Sequence, residues 1–106
     1  MTTIDETTQV LNEMEQAGID LNVAHDVVFF QLFEKKEQAQ QMMDYLAEEL
    51  PEVSGELLAD EIPNVWDVNV TVNMLPSYQN IVDQEKLFEQ IAGQFNGYND
   101  GWGIEA

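Results

Sequence analysis

The chain has 106 residues, the size of one compact domain, and carries 21 acidic residues against three lysines and no arginine, a net charge of −18. That charge argues against nucleic-acid backbones and anionic membrane surfaces as partners, because almost no cation is available to pair with phosphate. Leu, Ile, Val and Phe supply 30 of the 106 residues, which favours a folded core over acidic disorder. We therefore expect one folded domain over residues 1–106.

The residue inventory does not favour an enzyme or a metal site. Cysteine is absent, which removes thiolate nucleophiles and cysteine-ligated metals. His25 is the only histidine and has no nucleophile motif beside it, so we interpret it as a residue entering a strand. Segment 96–101 superficially resembles a calcium loop, but Tyr98 occupies a ligand position, and we reject that interpretation. We expect no catalytic residue, no cofactor and no metal.

The chain also lacks the pattern of a targeting or membrane segment. Residues 1–6 contain no basic region followed by an apolar run, and the longest fully apolar run is residues 27–30. We expect a cytoplasmic protein that does not bind membranes.

Three segments have the apolar periodicity of amphipathic helices. They are residues 4–17, 36–50 and 83–95, the last with an alternative start near residue 79. Gly18, Pro51 and the pair Asn96-Gly97 are the expected stops. The apolar stripe predicted for the third helix consists of Leu87, Phe88, Ile91, Ala92 and Phe95.

Four segments have strand character. They are residues 25–33, 53–62, 65–74 and 101–105. Apolar and polar residues alternate strictly over 65–74, which predicts one buried and one wet face. Segment 25–33 is apolar on both faces, which is typical of a central strand.

The predicted order is a helix followed by β-α-β-β-α-β, the ferredoxin-like arrangement of an α+β domain. In that arrangement four antiparallel strands bury one face under two helices. The core then covers residues 25–105, and the extra helix 4–17 packs on a sheet edge or on the open face.

Charge is the strongest functional signal in the chain. Glu37, Asp44 and Glu48 share the outer side of the second predicted helix, and Glu49 and Glu52 continue this acidic stretch. A charge of −18 exceeds the ~2–8 typical of a small domain designed only for solubility. We interpret the acids as a surface that attracts a basic protein segment, with solubility as the alternative.

The C-terminal segment Asp100-Gly101-Trp102-Gly103 resembles the Tyr-Asp-Gly-Trp-Gly signature of the regulator of ribonuclease E activity B family, with Asn99 at the tyrosine position. Strand 28–33, followed by Glu34-Lys35-Lys36-Glu37, is also similar to the family's passage from strand to helix. The resemblance covers residues 25–105 in element order.

This resemblance implies an acidic, cytoplasmic bacterial protein with a ferredoxin-like fold that is not an enzyme. It also implies an inhibitor that binds ribonuclease E and masks a basic RNA-binding region, with the C-terminal region of that enzyme as the candidate partner. The predicted partner-binding residues are Glu37, Asp44, Glu48, Glu49, Glu52, Asp100 and Trp102. The alternative is a dimerising or small-molecule-sensing domain that uses an uncovered sheet face. The oligomeric state stays open.

Overall fold

The computed structural model describes residues 3–105, with side chains described for residues 7–104. Three helices and four strands follow one another in the order α-β-α-β-β-α-β. The helices are α1 (Thr3–Gln16), α2 (Lys36–Glu49) and α3 (Tyr78–Gln94). The strands are β1 (His25–Phe33), β2 (Ser54–Ala59), β3 (Trp66–Met74) and β4 (Tyr98–Glu105).

The four strands form one antiparallel sheet in the order β2-β3-β1-β4. This order confirms the predicted ferredoxin-like α+β class. β1 lies between β3 and β4, which confirms the central position predicted from its apolar sequence.

Helices α2 and α3 cover one face of the sheet, here called the closed face. Val27, Phe29 and Phe33 of β1 are fully buried there, and the Phe29 ring lies 5.2 Å from the Phe88 ring of α3. Burying each such side chain contributes about 1.5–3 kcal/mol. Helix α1 packs against α3, and its Leu11 joins the same core. Of the two positions expected for this helix, a sheet edge or the face without helices, the second is therefore wrong.

Helix α3 begins earlier than the predicted start at residue 83 and close to the alternative start near residue 79. It begins at Tyr78, because Pro76-Ser77 ends the preceding segment and the Ser77 side chain accepts a hydrogen bond from the Asn80 backbone N–H at 3.2 Å. The extra turn places Ile81 on the buried stripe. Leu87, predicted to belong to that stripe, is 38% exposed, because it lies at the edge of the helix face that meets the core.

The turn between α3 and β4 has little room for side chains. Asn96 has a φ of 63°, the left-handed conformation that asparagine tolerates at a helix end. The Gly97 N–H donates to the Ala92 carbonyl at 2.8 Å. A Cβ at Gly97 would overlap the buried ring of Phe33. Strand β4 begins directly after this turn, three residues before the predicted start at Gly101.

Candidate functional site

The outer side of α2 presents the largest group of predicted partner-binding residues. The helix turns Ala39, Met42 and Leu46 into the core, so its acids face solvent. These acids, with the two that follow along the chain, form what we call the α2 acidic surface: Glu37, Asp44, Glu48, Glu49 and Glu52, all exposed. The surface offers carboxylates to a cationic partner without any need for rearrangement.

The Asp100-Gly101-Trp102-Gly103 segment lies in β4 and contains a β-bulge. Trp102 pairs with Phe29, and Asn99 pairs with Gln31. Two β4 residues, Asp100 and Gly101, therefore lie opposite the single β1 residue Phe30. Gly101 lies in this bulge with a φ of 104°, a conformation that only glycine adopts without strain. The bulge explains why the segment requires a glycine at this position.

Asn99, the departure from the family signature, stabilises this bulge. Its Oδ1 accepts the Gly101 backbone N–H at 3.1 Å, and its Nδ2 donates to Glu85 Oε2 of α3 at 3.2 Å. The neighbouring Tyr98 instead donates its hydroxyl to Glu34 Oε1 at 3.3 Å. Asn99 thus has a local structural role that ties β4 to α3.

The two β4 members of the predicted binding set lie apart from the α2 acidic surface. Asp100 is exposed, whereas Trp102 is half-buried and packs against the core. Helix α2 packs over β2, β3 and β1, while β4 forms the other sheet edge beside α3. The structure therefore divides the predicted binding residues between two places.

The face of the sheet opposite α2 and α3, here called the open face, was predicted as a binding surface only under the alternative function, a dimerising or small-molecule-sensing domain. The strand register arranges its side chains in rows that cross the sheet. The first row consists of Ser54, Thr71, Val28 and Gly103. The second consists of Glu56, Asn69 and Phe30, with the β4 bulge at its end. The third consists of Leu58, Asp67, Leu32 and Tyr98. In the sequence, the polar residues that alternate along β3 marked this face. The alternation by itself predicted only that these residues face solvent.

The small residues of the first row create a trough of about 400 Å³ on the open face. Gly103 contributes no side chain to it, and a Cβ there would lie 3.7 Å from the Phe30 ring, an ordinary contact distance. Glu56 and Asn69 also line the trough. It is therefore a concave surface of mixed character, where the apolar side chains of Val28 and Phe30 lie among polar ones.

A partly desolvated carboxyl lies beside this trough, in the third row. Asp67 is flanked by Leu58 and Leu32, and the resulting loss of water raises its pKa to about 6, helped by a hydrogen bond to Asp60 and by the charges of Asp60 and Asp100. Asp67 Oδ1 is buried and has no hydrogen-bond partner among the described residues.

The pKa of Asp60, the neighbour of Asp67, shifts in the opposite direction. The Ile62 backbone N–H, which donates to Asp60 Oδ1 at 2.9 Å, lowers the pKa of Asp60, and the hydrogen bond from Asp67 lowers it further. Asp60 therefore carries the charge while Asp67 keeps the proton in mildly acidic solution. We call Asp60, Asp67 and Asp100 the acidic cluster.

The described part of the chain also shows where the predicted His25 lies and whether it contains a metal site or a membrane-spanning helix. His25 begins β1 as predicted, and its Nε2 lies 2.6 Å from the Asp20 carbonyl oxygen. Among the side chains of residues 7–104, no group of three or more His, Asp or Glu residues is arranged to hold a metal ion. No helix in the same range is both long and apolar enough to cross a membrane.

Comparison with known families identifies the protein's relatives. A family profile described as regulator of ribonuclease activity B matches residues 4–104. A comparison with curated protein sequences found no match. Members of this family are regulatory proteins and not enzymes. Because they regulate ribonuclease activity, the family implies a ribonuclease as partner. Because the match covers almost the whole sequence, the chain belongs to the regulator of ribonuclease activity B (RraB) family.

Proposed function

We propose that the protein acts in the bacterial cytoplasm as an inhibitor of ribonuclease E, binding the basic C-terminal region of that enzyme and masking its RNA-binding surface. The observation that carries this proposal is the α2 acidic surface, a set of exposed carboxylates on a chain with a net charge of −18. Membership of a family that regulates a ribonuclease supports the choice of partner.

The physical basis is competition for cations. A basic protein segment holds RNA through Lys and Arg side chains that neutralise phosphates. Exposed carboxylates offer the same cations an alternative partner and speed the encounter between two oppositely charged proteins. Exposed Asp100 extends this attraction to β4, and the accessible part of half-buried Trp102 adds apolar contact.

The direct test measures binding of the purified protein to the C-terminal half of ribonuclease E. We expect affinity to fall at least about tenfold between roughly 50 and 300 mM salt, because ions screen charge pairs at exposed surfaces. RNA cleavage by the complete enzyme should fall as the protein is added. Absence of binding at the lower salt concentration would contradict the proposal.

A charge-reversal series tests the surface itself. The triple variant Glu37→Lys, Asp44→Lys and Glu48→Lys should slow association about tenfold at low salt. The control variant reverses Glu13, Glu15 and Glu89, which are exposed on α1 and α3, and changes the net charge equally. Equal slowing by both variants would show that net charge acts without a defined α2 surface.

The second candidate function is a dimerising or small-molecule-sensing domain, favoured by the uncovered sheet face and its trough of about 400 Å³. Light scattering and a thermal-shift screen against metabolites test it. A concentration-dependent dimer or a ligand-stabilised monomer, together with no ribonuclease binding, would replace the first proposal with this one.

A further inference from the structure

The open face exposes apolar groups that a strongly acidic protein has no evident reason to leave in water. Leu58 is 41% exposed and Tyr98 is 56% exposed, and both belong to the third row of this face. Phe30 in the second row is half-buried. Because α1, α2 and α3 all pack on the closed face, no described helix covers these groups. Exposed apolar side chains around a concave trough are a common feature of binding faces.

The charge of the open face has a single sign. Its carboxylates are Asp26, Glu56, Asp67 and Asp100, with Asp60 joining at the β2–β3 turn. The strands β1, β2, β3 and β4 contain no lysine or arginine, since the three lysines of the chain are at positions 35, 36 and 86. A concave surface concentrates such a field, so the trough favours a cationic occupant.

These charges also argue against a second copy of the chain as the occupant. Two copies meeting through this face would bring the carboxylates of one against those of the other, and like charges across an interface are costly. A neutral small molecule would fill the trough and leave the carboxylates without partners. A basic peptide offers aliphatic stems to the exposed apolar side chains of this face and cations to its carboxylates.

We propose that the open face binds an extended, arginine- or lysine-bearing segment of the partner, which lies across the strands in the trough. The aliphatic stems of its cationic side chains would cover Phe30, and their charged groups would reach Glu56 and the acidic cluster. The four strands span about 15 Å, the length of roughly four or five extended residues. This inference rests on the proposed function and adds a second surface to the α2 acidic surface.

The first experiment fills the trough. Gly103→Leu places a side chain against Phe30 at an ordinary contact distance, in backbone outside the left-handed region. The matched control is Gly93→Leu, on the exposed side of α3 with no atom within 4 Å of its Cβ. Binding of the fluorescently labelled basic segment of ribonuclease E is measured by anisotropy, and circular dichroism verifies that both variants fold. We expect Gly103→Leu to weaken binding at least about tenfold and Gly93→Leu to leave it unchanged.

The second experiment compares two equal charge changes. Glu56→Lys alters the wall of the trough, and Glu48→Lys alters the α2 acidic surface by the same charge. We expect Glu56→Lys to raise the dissociation rate at least about tenfold, whereas Glu48→Lys mainly slows association. Wild-type affinity in folded Gly103→Leu and Glu56→Lys would overturn the inference.

A nona-arginine peptide separates this inference from the proposed function. If the wild-type protein does not bind the ribonuclease segment but binds nona-arginine with the same sensitivity to Gly103→Leu, the proposed partner is wrong and the open-face inference stands. If the ribonuclease segment binds and only α2 variants weaken it, the proposed function stands and the open-face inference is wrong.

Discussion

The two faces of the sheet differ in how tightly their side chains are packed. Neighbouring residues of strand β3 show the difference. Val68 and Val70 point to the closed face and are fully buried, whereas Asn69 and Thr71 point to the open face and line or border the trough. On the closed face, side-chain volume is set by the packing of α2 and α3. On the open face, no described helix sets that volume, so residues there are free to serve recognition at little cost in stability.

Among the described strand residues, one polar side chain is fully buried on the closed face. Gln31 is 0% exposed, and neither polar atom of its side chain has a hydrogen-bond partner among the described residues. It lies between Val68 and Asn99 in the register. A buried amide without partners lowers the stability of the fold. Substitution at this position therefore tests directly what burial on the closed face costs a polar side chain.

The largest expected effect comes from a methyl group added at the edge of the closed face. Gly97→Ala should lower the free energy of unfolding by about 1–3 kcal/mol, because the new Cβ overlaps the fully buried Phe33 ring. Urea unfolding followed by tryptophan fluorescence measures the change.

The control for that prediction is the same substitution at a solvent-facing glycine. Gly93→Ala in α3, where the Cβ meets no atom within 4 Å, should raise stability by about 0.5–1 kcal/mol through helix propensity. Similar destabilisation by both substitutions would contradict a specific overlap with Phe33.

The next effect is a gain in stability. Gln31→Met keeps the volume of the side chain and removes its unpaired amide, so we expect an increase of about 1–2 kcal/mol in the free energy of unfolding. Thermal and urea unfolding give the value. A loss of stability would mean that the amide has a hydrogen-bond partner in solution, such as a bound water molecule.

On the open face, the carboxyl of Asp67 should make the free energy of unfolding depend on pH. Because the pKa of Asp67 is raised to about 6, the folded protein holds a proton there that the unfolded chain has already released. The stability linked to this proton is present at low pH and is lost as pH rises through the folded pKa. Asp67→Asn keeps a donor for Asp60 at every pH, so its advantage over the wild type should grow with pH.

We expect that advantage to be small near pH 4, close to the ordinary pKa of the carboxyl, and on the order of 1 kcal/mol near pH 8, since solvent screens this half-buried group. Urea unfolding at the two pH values measures it. Asp44→Asn on the exposed α2 surface is the control, and an identical pH profile for both variants would show that Asp67 is not special.

The smallest expected change in stability belongs to the trough. Gly103→Leu should alter the free energy of unfolding by less than about 1 kcal/mol, because its side chain enters open space beside Phe30. A loss as large as that of Gly97→Ala would show that the open face is packed as tightly as the closed face.

Sequence patterns predicted the elements well and their ends less well. The period-2 alternation of residues 65–74 and the helical stripe of residues 36–50 depend only on which residues are apolar, and both elements are confirmed. The start of α3 at Tyr78 depends on the Ser77 cap, a single hydrogen bond in a segment that also contains Pro76. Such local contacts have no periodic signature, and for the same reason the bulge of β4 was not predicted.

The candidate binding surfaces divide in the same way. The exposed acids of α2 could be predicted, because helical spacing places Glu37, Asp44 and Glu48 opposite the apolar stripe. The trough could not, since it combines Ser54, Val28, Thr71 and Gly103, one residue from each of four strands.

The amino-acid sequence by itself determined the fold class, the acidic character and the family of this protein, because periodicity, composition and a short motif are properties of neighbouring residues. Only the tertiary structure decided that α1 packs on α3, that one sheet face stays open, and that Asp60, Asp67 and Asp100 influence one another. These features depend on which strands pair and in what register. Pairing brings together residues far apart in the chain, and no local pattern records that proximity.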